Sequence, residues 1–128
     1  MSALSDYLEN EILDHILGTG AYTMPTNVYV GLSTGSFADD NSGTELSGSG
    51  YTRKVASFGA ASSGTASNDA AIEFPAATGS WGTVSHFGIF DASSSGNLLI
   101  HGALTSSKVI ESGDILKVAV GDMDITAA

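Results

Sequence analysis

The chain has no cysteine, only four basic residues, and no apolar run approaching the length of a membrane-spanning helix. Without cysteine there is no disulfide and no thiol chemistry, so stability must come from packing within the chain or against a partner. Arg53, Lys54, Lys108 and Lys117 face fourteen acidic side chains, for a formal net charge of −10. Such a surface repels phosphate backbones and anionic headgroups, which argues against nucleic-acid binding and against a membrane partner. A spanning helix needs about 20 consecutive apolar residues. The opening residues, MSALSDYLENEILDHILG, carry acids where a secretory signal would carry Lys or Arg, so a soluble chain is expected.

Signatures of catalysis and metal binding are also missing. His15, His86 and His101 occur in no HxH or HExxH spacing, and zinc needs three or four converging ligands. The expected role of His86 and His101 is a hydrogen bond in the sheet or a place at a subunit interface. The segment DDNSGTE, residues 39–45, is rich in oxygen ligands but lacks the EF-hand pattern. There is no GxSxG elbow, the nearest match being the loop tripeptide Gly48-Ser49-Gly50, and no GxxxxGK[ST] phosphate loop. Glu73, Asp91 and Glu111 could pair for glycoside cleavage, but nothing in the sequence brings them together. The expectation is a protein without enzymatic activity and without a cofactor or metal.

What is present is enough for one domain, residues 1–128, with a real core. A helix is expected over residues 2–18. Leu4, Leu8, Ile12 and Ile16 recur every four residues and are joined by Tyr7, Leu13 and Leu17, a wide apolar stripe. Ser2 or Ser5 can cap it, Asp6 and Glu9 suit its N-terminal dipole, and Gly18 and Gly20 can end it. A helix of this length does not hold alone in water, so it docks on the rest of the chain or on neighbouring copies.

Residues 27–127 read as a β-domain. NVYVGLS (27–33) alternates Val28, Val30 and Leu32; GYTRKVASF, SNDAAIEFP, VSHFGIFD, NLLIHGAL, DILKVAVG and MDIT follow, with turn signals between most of them. The expected fold is mainly β, a β-sandwich or jelly-roll-like domain of about seven to eight strands with one N-terminal amphipathic α-helix. Residues 34–50 form a long loop whose Asp39, Asp40 and Glu45 predict an acidic projection into solvent.

The stretch WGTVSHFGIFDASSSGNLLIHGAL, residues 81–104, reads as a hairpin around DASSSGN. Alternation places Val84, His86, Gly88 and Phe90 on one face and Ser85, Phe87, Ile89 and Asp91 on the other. Both faces carry apolar residues, so the strand is expected to be covered on both sides, and Gly88 marks a bulge or a close approach. Tyr22, Tyr29, Phe37, Tyr51 and Trp81 could together form a carbohydrate platform; the simpler role for Trp81 is to close the end of the core.

The run TVSHFGIFDASSSGNLLIHGAL followed by VIESGDILKVAVGDMDIT resembles a family of small tailed-bacteriophage virion proteins, labelled tail fibre or head decoration proteins. LSDYLENEILDHILGTGAYTMPTNVYVGLST, GTELSGSGYTRKVASFGAAS and FPAATGSWGTVSHFGIFD are similar to the same family, so the resemblance covers nearly the whole chain. It implies a structural virion component, repeated in symmetric copies. The first expectation is a capsid decoration (cement) protein on the head surface, a homotrimer that bridges major capsid protein subunits. The alternative is a tail-fibre or baseplate module whose loops meet a host glycan or another fibre subunit. The expected interface residues are Leu4, Leu8, Ile12, Ile16, Trp81, His86 and His101.

Overall fold

A computed structural model describes residues 2–126. The chain runs β1 (Ser2–Leu4), α1 (Asp6–Leu17), β2 (Val28–Ser33), β3 (Lys54–Ala56), β4 (Thr65–Ser67), β5 (Ile72–Glu73), β6 (Gly82–Phe90), β7 (Leu98–Ile110), β8 (Lys117–Val118) and β9 (Asp124–Thr126). A five-stranded antiparallel sheet in the order β1-β7-β6-β2-β3 forms one layer, and the two-stranded ribbons β4–β9 and β5–β8 contribute to the other. The fold is mainly β and sandwich-like, as the alternating segments predict.

The core lies between these layers. Val30 and Leu32 of β2, with Val84, Phe87 and Ile89 of β6, meet Ile72, Phe74, Leu116, Val118 and Met123. Val84 joins Phe87 and Ile89 in this core, not His86 and Gly88 as strict alternation predicts. The cause is a bulge: pairing passes from Val84↔Lys108 to His86↔Ala103, so residues 104–107 of β7 stand against Ser85 alone. A bulge of this kind resets which way side chains point on either side of it.

The N-terminus also differs from expectation. Residues 2–18 do not form one helix. Ser2–Leu4 pair with β7, Leu4 opposite Ile100, and the helix begins only at Asp6. Ser5 makes the break. Its backbone is extended (φ −72°, ψ 162°), its N–H donates to Leu99 O at 2.8 Å, and its hydroxyl both donates to Leu98 O and accepts from Leu8 N–H at 3.2 Å. One residue thus ends an edge strand and caps a helix, and the ladder bonds of β1 replace another helical turn. Gly18, with φ 82°, ends α1 in the left-handed region and donates to Asp14 O. Residue 127, the expected end of the β-domain, lies outside the described residues.

Candidate functional site

On the sheet face away from the core, Gly31 of β2 and Gly88 of β6 stand directly opposite each other. Together they leave a trough, and side chains from the long loop fill it. A Cβ on Gly88 would lie 3.0–3.2 Å from Leu98, Phe90 and Phe37; one on Gly31 would lie 2.7 Å from Glu45 Oε2 and 3.0 Å from Phe90. Phe37, Phe90 and Leu98 form a second buried cluster there, the two rings edge to face at 5.6 Å. Residues 34–50 are therefore not a free acidic projection. Phe37 anchors the loop, Leu46 N–H donates to Leu32 O at 2.9 Å, and Ser33 Oγ donates to Thr44 O at 2.6 Å. The apolar anchor outweighs the acids, because the acids either reach water or find partners.

Arg53 organises this face. Its guanidinium forms a two-bond fork to Glu45, Nε to Oε2 and Nη2 to Oε1, each 2.8 Å, and lies 3.6 Å from the Phe90 ring centroid. Nη1 donates to Ala92 O at 2.9 Å and Ser95 O at 2.7 Å. One side chain thus joins the long loop, β6 and the β6–β7 hairpin loop. Tyr51 donates to Glu45 and accepts from Leu32 N–H at 2.9 Å. Burial, then the neighbouring Glu45 carboxylate, pushes the Tyr51 phenol well above its ordinary pKa of 10.0.

The expected interface residues fall in different places. Trp81 is buried, its indole N–H donating to Ser49 O at 2.9 Å and its ring edge-on to Tyr51, so it closes the end of the core. His86 and His101 share the outer sheet face on neighbouring strands. His86 Nδ1 lies 2.8 Å from Ser85 Oγ, and His101 Nε2 lies 2.6 Å from Asp39 Oδ1, tying the long loop to β7. His15 is far from both in the chain and accepts from Tyr22 N–H at 3.1 Å. Among the described residues no three His, Asp or Glu side chains cluster as metal ligands. Leu4 is half-buried in β1, Leu8 is buried beside β7, Ile12 is half-buried and Ile16 is 71% exposed. Of the aromatic residues considered for a sugar platform, Phe37 and Trp81 are buried, and Tyr22, Tyr29 and Tyr51 are half-buried.

Sequence reasoning missed the Arg53–Glu45–Tyr51 network. Its signal was present: a rare arginine in an acidic chain, and glycines in the middle of two apolar strands. The geometry is that of a braced structural domain in which His101 ties the long loop to the sheet. A protein-family model described as Podophage GP4 fiber I protein gp80 matches residues 3–126. The chain belongs to this phage fibre family. No curated protein matches it. Membership in the gp80 fibre family makes it a structural protein of the phage virion, one that assembles with other virion components. No described helix is long and apolar enough to cross a membrane.

Proposed function

We propose that this chain is a structural subunit of a phage tail fibre and that its contacts are with other fibre subunits. The observation that carries the reading is the match of a fibre family along nearly the entire chain, residues 3–126, which leaves no separate module to hold another role within that span. The geometry agrees with it. Loop residues that could have reached for a ligand are instead bound to the sheet by Phe37, Arg53 and His101. Of the rings considered for a sugar platform, Phe37 and Trp81 are buried and Tyr22, Tyr29 and Tyr51 are half-buried, which disfavours stacking on a host glycan and favours protein partners. Small size and acidity fit a head decoration protein as well; the family description tips the reading to the fibre.

The test is fractionation. Purified virions are disrupted, heads and tails are separated, and peptides of this chain are quantified in each. The fibre reading expects the peptides to follow the tail fraction. Peptides that stay with the heads would overturn it in favour of decoration.

A further inference from the structure

The apolar stripe of α1 is wider than the fold uses. At about 100° per residue, Leu8, Ile12, Ile16, Leu13 and Leu17 fan across roughly half of the helix surface. Only Leu8, at one edge of that arc, is buried; Leu13 is 56% exposed, Ile16 71% and Leu17 72%. Beside the arc runs an open apolar groove of about 890 Å³, bounded by α1 on one side and by β3 on the other. Met24 and Val55 line it and are 80% and 46% exposed. Together these side chains expose on the order of 500 Å² of apolar surface, at the upper end for a patch on a lone soluble protein. With a polar rim added, that approaches the ~800 Å² per partner of a standard interface.

Charge identifies the occupant. Glu9 projects from within the apolar arc of α1, between the directions of Ile16 and Leu13. Lys54 is the basic residue lining the groove, and it makes no ion pair among the described residues. An apolar ridge bearing acids, Glu9 and Asp6, and an apolar groove bearing one base are complementary. They cannot be joined within one chain, because α1 is itself a wall of the groove. A strand added to β3 would find only three residues, with Lys54 at its exposed edge.

We infer that a second copy of this chain seats the apolar face of its α1 in this groove, reciprocally, with each Glu9 facing the other copy's Lys54. This deepens the fibre reading by naming one subunit contact, and it rests on that reading for its biological setting. Leu8, Ile12 and Ile16 then act in the contact through the groove wall and the ridge.

The test is sedimentation equilibrium of the purified chain with a charge swap. Both Glu9 and Lys54 are exposed, so their replacement leaves the core untouched. Wild type is expected to self-associate well below about 100 µM. Glu9→Lys and Lys54→Glu alone are each expected to weaken association about tenfold or more, and the double variant to recover most of the loss. Ile16→Glu is expected to abolish association while the thermal unfolding of the monomer is unchanged. A monomeric wild type at that concentration, or a double variant no better than either single one, would overturn the proposal. A monomeric chain found in the tail fraction defeats this contact and leaves the fibre reading standing. A self-associating chain found on heads supports the contact and defeats the fibre reading.

Discussion

The guanidinium of Arg53 lies 3.6 Å from the centroid of the Phe90 ring while forking onto both oxygens of Glu45. Phe90 ends β6, Glu45 belongs to the long loop, and Arg53 also holds the hairpin loop through Ala92 and Ser95. The long loop, the end of β6 and the hairpin loop that follows it are thus joined by one side chain that is only 8% exposed.

Arg53→Ala is therefore expected to destabilise the fold by about 2–4 kcal/mol, since it leaves a partly buried carboxylate without its partner. Arg53→Lys is expected to recover little, because an ammonium cannot reproduce the fork or the planar contact with the ring. Urea denaturation followed by circular dichroism measures both.

The paired glycines make a second prediction. Gly88→Ala would press a methyl group against Phe37, Phe90 and Leu98, and Gly31→Ala would press one against Glu45 and Phe90. Each is expected to cost about 1–3 kcal/mol by overpacking. Proteolytic nicking within residues 34–50 should accelerate in both variants, because the loop loses its seat. Limited proteolysis with mapping of the cut sites reads this directly.

Much of this was legible in the sequence, and the reasons for the rest are physical. Alternation in β2 and the turn at DASSSGN predict the central strands and their hairpin. The start of the helix was open because Ser2 and Ser5 are both competent caps, and only the ladder with β7 selects Ser5. The face of Val84 was misread because a bulge is a property of two strands together, and nothing in VSHFGIFD alone announces it. The sequence favours a free acidic loop because its acids are obvious and its apolar anchor, Phe37, is not. What Phe37 packs against is set by Gly31 and Gly88, which only the strand register brings side by side.

Tyr51 predicts an alkaline dependence. Its folded pKa is raised above the ordinary 10.0, first by burial and then by Glu45. Below pH 10.0 the phenol is protonated in both folded and unfolded chains, and its contribution is fully present. Above that value the unfolded chain gives up a proton that the folded chain keeps, so stability falls as pH rises. Tyr51→Phe is expected to cost about 1–3 kcal/mol at neutral pH, because Leu32 N–H and Glu45 lose a partner. It should also show a shallower decline above pH 10.0. Denaturation midpoints of both proteins across that range test the sign.

Trp81 is the one tryptophan of the chain and is 5% exposed. Its fluorescence is expected to be blue-shifted in the folded protein, poorly quenched by acrylamide, and red-shifted on unfolding. Trp81→Ala is expected to cost about 3–5 kcal/mol. An emission already at the solvent-exposed wavelength in the native protein would contradict the placement of the indole at the end of the core.

The most direct test of the fibre assignment is immunogold electron microscopy of intact virions, using polyclonal antibody raised against the purified chain. The account predicts gold confined to the tail, at the fibres. Gold distributed evenly over the heads would contradict it and would make this chain a decoration protein of the capsid.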